Sequence, residues 1–193
     1  MSESRGFGRA AGSAAEVRFT RLYELHHRSI RDYCRRRLAA QRVDDAVAET
    51  FLTAWRRLDA VPEDELALLW LYRVAYRVVG HQWRGLKRGQ RLDQRLRSVA
   101  DDVLPAPDVV AIDREDQRLV LRAAASLGRT DAEVLRLATW EQLSISDIAT
   151  MLDIEPNAVK QRLHRARRNL ASEFRRLETR SYSTPDALKG GGR

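Results

Sequence analysis

The chain has 193 residues with 44% apolar content, enough to build helical cores in one medium domain or two small ones. Its 35 lysines and arginines against 27 acids leave a net charge of +8, which favours a polyanionic partner such as nucleic acid, although a basic surface that serves only solubility fits the charge equally well. The single cysteine, Cys34, excludes an internal disulfide and a cysteine-pair zinc site, and no apolar run is long enough to cross a bilayer.

The sequence falls into two helical blocks joined by a stretch of different composition. Apolar residues recur every three or four positions over 17–91 and again over 114–177, and no alternating pattern suggests strands. Residues 92–113 include Pro105, Pro107 and several aspartates, which is typical of a linker. We therefore expect an all-α protein of two small helical domains on a flexible linker, with disordered tails at 1–16 and 178–193. The lone cysteine and the absence of a signal-peptide pattern favour the cytoplasm.

The first predicted helix carries a buried stripe and ends in a basic cluster, Arg35 to Arg37, which also suits the negative end of the helix dipole. The stripe consists of Leu22, Leu25, Ile30 and Tyr33. His26 and His27 lie near Cys34 in the sequence, but one cysteine without a further cluster of ligands predicts an ordinary packed helix. We assign no metal and no cofactor.

The second helix, VDDAVAETFLTAWRRL, has two faces of different character. Its apolar face is predicted to be core and consists of Val47, Phe51, Ala54, Trp55 and Leu58. The opposite face carries Asp45, Glu49, Leu52 and Arg56. A short acidic face with an exposed leucine, on an otherwise basic protein, would suit a basic partner protein. Alternatively, these acids and Asp44 only complement the positive end of the helix dipole.

The third helix, from about Leu66 to Arg88, combines a buried face with an unmixed basic one. The buried face consists of Ala67, Leu71, Val74 and Val78, and the basic face of Arg73, Arg77, Arg84, Lys87 and Arg88. Solvated faces normally mix charges of both signs, so this stripe indicates contact with a phosphate backbone. The interleaved aromatic groups Tyr76, His81 and Trp83 offer stacking platforms for unpaired bases, whereas Trp70 and Tyr72 fit a core equally well.

The second block predicts a helix-turn-helix. Thr130 with Glu133 has the spacing of a capping box at the start of one helix, and Ser144 with Asp147 has it at the start of a second, SDIATML. A turn at 152–155 follows, and Pro156 begins a third helix at the position where proline is tolerated.

The last helix has an apolar side and a basic, polar side. Val159, Leu163, Ala166 and Leu170 are predicted to point inward. Asn157, Lys160, Gln161, His164, Arg165 and Arg168 are predicted to point outward, with Arg162 and Arg167 on the flanks. Asn, Lys and Gln near a helix N-terminus can bond to base edges in the major groove while arginines hold phosphate. Basic amphipathic helices also bind membrane surfaces or calmodulin-like proteins, but two short capped helices ahead of this one favour DNA.

Three segments resemble the sigma-70 family of RNA polymerase sigma factors. DDAVAETFLTAW resembles the family's polymerase-binding helix, and WLYRVAYRVVGHQWRGLKR resembles its minus-ten-reading helix. WEQLSISDIATMLDIEPNAVKQRLHRARRNL is similar to its minus-thirty-five helix-turn-helix. The order of these segments, with no additional domains, is that of the extracytoplasmic-function subgroup. The resemblance implies a protein that binds core RNA polymerase, recognises promoter DNA and promotes its melting.

The resemblance also implies roles for particular residues. Asp44, Asp45, Glu49 and Leu52 would dock on the clamp helices of the polymerase's largest subunit. The loop DAVPEDEL at 59–66 would capture an unstacked minus-ten base. The melting strand would be held by Arg73, Tyr76, Arg77, Arg84, Lys87 and Arg88. The minus-thirty-five element would be bound by Ser144, Asn157, Lys160, Gln161, Arg162, His164, Arg165 and Arg168. Many relatives also have an inhibitory anti-sigma partner, so such a partner is an expectation here.

Two other classes of function fit the sequence less well. A helix-turn-helix regulator that acts without polymerase would leave the acidic Asp45 and Glu49 and the basic third helix unexplained. A metal-dependent nuclease using Asp44, Asp45 and Glu49 would lack a suitably placed histidine, a phosphate-binding glycine loop and a nucleophile motif. We therefore expect no enzymatic activity and no insertion into membranes.

Overall fold

The computed structural model describes residues 4–63, 66–93, 123–124 and 126–182, and within them the side chains of 14–63, 66–84, 123–124 and 126–179. The chain divides between Pro105 and Ala106 into two compact units. Every regular element in the described ranges is a helix, which confirms the predicted all-α class. Within the same ranges, no helix is both long enough and apolar enough to span a membrane.

The described residues of the first unit form three α-helices. They are α1 (Ser4–Arg35), α2 (Val43–Arg56) and α3 (Leu66–Asp93), with short 3-10 turns at Ala40–Arg42 and Leu58–Ala60 between them. Helix α2 has Asp44 and Asp45 in its first turn and Arg56 in its last, so both ends carry charges that complement the helix dipole. The α3 helix runs to Asp93, two residues into the stretch 92–113 expected as a linker; the rest of that stretch lies outside the described residues.

The core of the first unit lies where the three helices pack on one another. The predicted buried positions of α3, which are Ala67, Leu71, Val74 and Val78, are all buried. In α2 the residues Val47, Phe51 and Ala54 are buried as expected, because positions three, four and seven apart share one face of a helix. Tyr72 is also buried, with its ring centroid 5.3 Å from that of Tyr33.

Two residues expected in this core are at the surface instead. Leu25 is 62% exposed and Trp55 is 42% exposed. Trp55 lies at the edge of the α1–α2 contact, where its ring meets Phe19 edge-on at 5.1 Å. The spacing of apolar residues predicts which side of a helix is apolar. It does not show how far the neighbouring helix covers that side, so both residues were expected to be buried.

The first helix begins at Ser4, so the expected boundary at Val17 falls inside it. The segment RGFGRAAGSAAE contains no proline and several alanines, and alanine has the highest intrinsic helix propensity. A sequence without an apolar stripe can therefore still extend a helix that tertiary packing has already nucleated downstream.

Cys34 in the last turn of α1 and Arg37 just after its end are buried in the interior of the unit. Cys34 is fully buried, and burial raises the pKa of its thiol to about 12. Arg37 is also buried; its guanidinium lies 3.6 Å from the centroid of the Tyr33 ring and donates to the Tyr33 carbonyl at 3.0 Å. The basic cluster predicted at Arg35 to Arg37 is therefore not wholly a surface feature.

The second unit contains helices α4 (Arg129–Thr139), α5 (Ile145–Leu152) and α6 (Pro156–Tyr182). Their buried faces meet through Val134, Leu137, Ile148, Val159 and Leu163. Around Ala166 a further cluster contains Leu127 and Ala132, with Leu135 and Leu170 packed against it. The inward positions predicted for the last helix are thus confirmed.

The ends of these helices explain how the helix-turn-helix forms. At the start of α5, the Asp147 amide donates to Ser144 Oγ at 3.1 Å and the Ser144 amide donates to Asp147 Oδ2 at 3.2 Å, which is the predicted capping box. Asp153 ends α5 in the left-handed region with φ 57°, and Pro156 begins α6.

The capping box predicted from Thr130 and Glu133 is wrong. Helix α4 begins at Arg129, two residues before the start that Thr130 as N-cap would give, with Gly128 as its N-cap and no side-chain cap. Glu133 is buried and pairs with Arg136, 3.6 Å away. The T-x-x-E spacing is common enough in helices to arise without capping, and here Glu133 is held by a partner one turn later.

Candidate nucleic-acid and protein-binding surfaces

The outer face of α2 presents carboxylates to solvent. Asp45 and Glu49 are exposed, and Leu52 is 47% exposed beside them. The acidic face predicted from the sequence is therefore present at the surface of a protein whose net charge is +8. An exposed leucine among acids suits a partner that has both basic and apolar groups.

Asp44 differs from its two acidic neighbours because it has a partner within the unit. Its Oδ1 lies 3.4 Å from Arg31 Nη2 of α1, and both side chains remain largely exposed. Exposed ion pairs of this kind contribute little to stability. Asp44 is therefore accessible, but part of its charge is offset by Arg31, a residue that the sequence pattern did not single out.

Aromatic side chains are partly exposed where α1 packs on α2. The centroid of the Tyr23 ring in α1 lies 4.8 Å from that of Phe51 and 4.7 Å from that of His27. Tyr23 is 40% exposed. Together with Trp55 it forms a partly exposed aromatic edge along the α1–α2 contact. Sequence periodicity does not predict this edge, because its members come from two helices.

On α3, the arginines lie away from the core. Arg77 and Arg84 are exposed, Arg73 is half-buried, and Tyr76 is 37% exposed. Arg73, Arg77 and Arg84 share one side of the helix at about 100° per residue, opposite the buried Leu71 and Val78. The side chains of Lys87 and Arg88, predicted to extend this stripe, lie outside the described residues.

A cavity of about 260 Å³ lies between α1 and the loop that precedes α3. Its walls include Arg18, Arg21 and His26 from α1 and Val61, Pro62 and Glu63 from the loop. Arg18 Nη2 donates to the Val61 carbonyl at 2.7 Å, which ties the loop to the helix. Burial lowers the pKa of His26, so this imidazole is neutral at physiological pH. Asp64 and Glu65 of the same loop lie outside the described residues.

The outward side of α6 carries the predicted row of polar and basic groups. Asn157, Lys160, Gln161, His164, Arg165 and Arg168 are all exposed, whereas Arg162 is half-buried. The first two turns of the helix present Asn157, Lys160 and Gln161, at the end that meets base edges when a recognition helix enters the major groove.

Ser144, predicted to contact DNA, is occupied by local contacts. Besides the capping box, its Oγ lies 2.7 Å from Ser146 Oγ. Its side chain therefore caps the start of α5, and any contact with phosphate would compete with that cap.

Arg165 is held by Asp131, which the sequence did not bring to notice. Arg165 Nε donates to Asp131 Oδ2 at 2.5 Å and Nη2 donates to Oδ1 at 2.6 Å. The hydrogen bonds from Arg165 lower the pKa of the Asp131 carboxyl and raise the pKa of the Arg165 guanidinium. The two residues are 34 positions apart, and no local pattern links them.

The described side chains contain no group of three or more His, Cys, Asp or Glu residues placed to hold a metal ion. This applies to Asp44, Asp45 and Glu49, which the nuclease alternative would have required to converge. Asp45 and Glu49 lie on the outer face of α2, and Asp44 is turned towards Arg31.

Family models match both units of the chain. The model for sigma-70 region 2 matches residues 22–89, and the model for sigma-70 region 4 matches residues 117–170. The first match contains the acidic face of α2 and the basic stripe of α3. The second contains the whole helix-turn-helix.

Several relatives match over most of their own length. The chain is 30% identical to the ECF RNA polymerase sigma factor SigL of Mycobacterium tuberculosis, across 90% of this chain and 97% of SigL. It is 27% identical to the ECF RNA polymerase sigma factor SigW of Bacillus subtilis, across 82% of this chain and 90% of SigW. Among solved structures, the sigma factor RpoE of Bartonella quintana, crystallised with the anti-sigma factor NepR, has the same fold. Its TM-score is 0.65, with 20% identity over 81% of this chain and 96% of the matched chain.

Proposed function

Since the chain belongs to the extracytoplasmic-function subgroup of the sigma-70 family and is an RNA polymerase sigma factor acting in transcription initiation, we propose how its surfaces divide that work. Helix α2 binds core polymerase, the first unit captures the minus-ten element and the second unit reads the minus-thirty-five element. The comparisons lend no support to a helix-turn-helix regulator that acts without polymerase.

The observation that carries the proposal is the exposed acidic face of α2. On a chain of net charge +8, Asp45 and Glu49 would weaken any surface that binds DNA. Their exposure beside Leu52 instead suits a protein partner with a basic, partly apolar helix. We assign this partner as the clamp helices of the polymerase's largest subunit, with Asp44 at the rim of the contact.

The second unit binds duplex DNA through the exposed side of α6. Asn157 and Gln161 can bond to adenine in two-point geometry, and Lys160 can bond to guanine, in the major groove. His164 extends the same row, while Arg168 and Arg162 reach the flanking phosphates. These contacts fix the register of the protein on the promoter.

The first unit acts on the opened strand. Arg73, Arg77 and Arg84 hold its phosphates, with Lys87 and Arg88 continuing the stripe, and Tyr76 offers a ring to an unpaired base. The cavity beside Val61, Pro62 and Glu63 receives a base that leaves the stack. Because this unit binds the open strand better than duplex, its binding energy shifts the promoter towards the melted form without nucleotide hydrolysis.

We also propose that the protein has no catalytic activity of its own and works in the cytoplasm, where polymerase and promoters are. The predicted linker 92–113 joins the two units, so that two weak DNA contacts reinforce one another. An anti-sigma factor restrains the protein, as the RpoE structure with NepR suggests by analogy of fold.

Charge reversal on α2 tests the proposal. Asp45→Arg and Glu49→Arg should each weaken binding to core polymerase by about ten-fold or more, because like charges would then face each other across the interface. The measurement is the affinity of purified full-length protein for core polymerase, followed by transcription from a promoter library.

Glu178→Arg is the matched control. Glu178 is an exposed acid at the far end of α6, and its substitution changes the net charge by the same amount. It should leave polymerase binding unchanged. If the α2 variants bind core polymerase as tightly as the Glu178 variant, the assignment of this face is wrong.

A further inference from the structure

We propose that Asp131 is a positioning residue for DNA binding: it holds the Arg165 guanidinium in place to receive a phosphate of the promoter duplex. The inference rests on the proposed function, because it takes α6 as the helix that lies in the major groove. It goes further by assigning a part in DNA recognition to a nearly buried acid on a different helix, α4.

The geometry of the pair leaves part of the guanidinium free of Asp131. Arginine has five N–H groups, and Asp131 takes one from Nε and one from Nη2. Both hydrogens on Nη1 and the second on Nη2 remain directed away from the carboxylate. The Arg165 side chain is 50% exposed, whereas that of Asp131 is only 11% exposed. Asp131 therefore faces the interior and Arg165 presents its remaining donors outward.

Arg165 lies at one edge of the row formed by Asn157, Gln161 and Arg168. At 100° per residue it is about 80° around α6 from Asn157, on the side that adjoins α4. A recognition helix in the groove has the sugar-phosphate backbones along its edges rather than over its centre. The position of Arg165 therefore suits a phosphate better than a base.

Asp131 affects DNA binding by holding the Arg165 side chain in its binding conformation in advance. A free arginine loses side-chain freedom when it grips a phosphate, and that loss weakens binding. Two parallel hydrogen bonds to a nearly buried carboxylate already fix the Arg165 side chain before DNA arrives. Arg162 adds a second positive charge near Asp131 that helps to keep the carboxylate ionised.

The proposal predicts that loss of the Asp131 charge changes DNA affinity in the direction opposite to that expected from simple electrostatics. Removing an acid from a DNA-binding unit should strengthen binding to a polyanion. If Asp131 works through Arg165, however, Asp131→Asn should weaken binding, because the guanidinium is released from the edge of the helix.

The experiment uses holoenzyme reconstituted from core polymerase and full-length protein, with binding to a duplex carrying the minus-thirty-five element measured across a range of salt. Asp131→Asn and Arg165→Ala should each reduce affinity by about three- to ten-fold and lower the slope of log affinity against log salt by about one, as expected for one lost phosphate contact. The double variant should bind no worse than Arg165→Ala alone. Asp153→Asn, at an exposed acid of the same unit, is the control and should lower neither quantity.

Three results would overturn the proposal. One is unchanged or tighter binding by Asp131→Asn at a temperature where its circular dichroism matches that of the unsubstituted protein. Another is a further loss when Asp131→Asn is added to Arg165→Ala. The third is an unchanged slope of log affinity against log salt for Arg165→Ala alone. This result would refute a phosphate contact by Arg165 even if Asp131→Asn does not fold. If Lys160→Ala still alters base preference in that case, the DNA-reading role of α6 stands and only the positioning role fails.

Discussion

At the scale of single residues, Gln142 occupies a backbone conformation that suits glycine. Its φ is 52°, in the left-handed region, at the turn between α4 and α5. A side chain there brings Cβ close to the following carbonyl oxygen, at a cost of roughly 1–2 kcal/mol. Glycine avoids the clash but loses more freedom on folding, which offsets part of the gain. Gln142→Gly should therefore stabilise the second unit by about 0.5–1 kcal/mol, measured as a rise in Tm.

The control for this substitution is Ala171→Gly, on the exposed side of α6. In the middle of a helix the same residue should destabilise by about 1 kcal/mol. A fall in Tm for Gln142→Gly would mean that the Gln142 side chain makes contacts worth more than the strain of its backbone.

Acid should weaken the second unit through Asp131. The hydrogen bonds from Arg165 lower the pKa of this carboxyl below its ordinary value of 3.8, so the folded protein binds the proton less readily than the unfolded chain. The pair's contribution to stability is then present above pH 3.8 and is lost as the pH falls through the lower folded value. Asp131→Asn should flatten the pH dependence of the free energy of unfolding in this acid range, as followed by urea denaturation. An unchanged profile would show that other carboxyls dominate it.

At the scale of elements, the capping box of α5 should determine how well the helix-turn-helix holds together. Ser144→Ala removes the oxygen that accepts from the Asp147 amide and should destabilise the second unit by about 1 kcal/mol. Because α5 has only eight residues, it depends on its ends more than α6 does. Thermal denaturation of Ser144→Ala beside Ser172→Ala, an exposed mid-helix serine of α6, measures the effect. Equal Tm values for the two variants would refute it.

The elements most predictable from sequence were those with both a strong period and a local terminal signal. The starts of α5 and α6 follow from local signals, because Ser144, Asp147 and Pro156 act on the backbone within a few residues. The end of α6 does not: the helix runs to Tyr182, into the stretch 178–193 expected as a disordered tail. Helix α1 was predicted to begin at Val17 instead of Ser4, since alanine-rich sequence extends a helix without any periodic mark. The predicted start of α4 is wrong by two residues because T-x-x-E spacing does not reveal whether the threonine lies outside the helix.

The candidate surfaces were predictable where they lie on one helix and not where they join two. The exposed acids of α2 and the outward row of α6 follow from 3.6-residue periodicity alone. The Asp131–Arg165 pair, the Arg31–Asp44 pair and the cavity behind Val61 each depend on packing between elements distant in the chain. Sequence spacing carries no information about such contacts.

At the scale of the whole molecule, two compact units with their own cores should allow each DNA-binding activity to be removed separately. Arg73→Ala with Arg77→Ala should reduce open-complex formation by at least about ten-fold, as expected for two lost charge-assisted contacts. Core polymerase binding and binding to a duplex with only the minus-thirty-five element should stay unchanged. Permanganate footprinting measures opening, and gel-shift assays measure duplex binding.

The reciprocal variant carries Lys160→Ala and Gln161→Ala. It should lose preference for the minus-thirty-five sequence while a template already open at the minus-ten element is still used. If either pair of substitutions impairs both activities equally, the two units do not act as separable modules.

The burial of Cys34 has a consequence for how cells could control this protein. Thiols react with peroxide and disulfides as thiolates, and a buried sulfur with a pKa of about 12 forms almost none at neutral pH. Since the chain has no other cysteine, it offers oxidants no reactive thiol of its own. A thiol-based signal of oxidative stress that acts on this protein would therefore have to come from another molecule and be relayed by association or release.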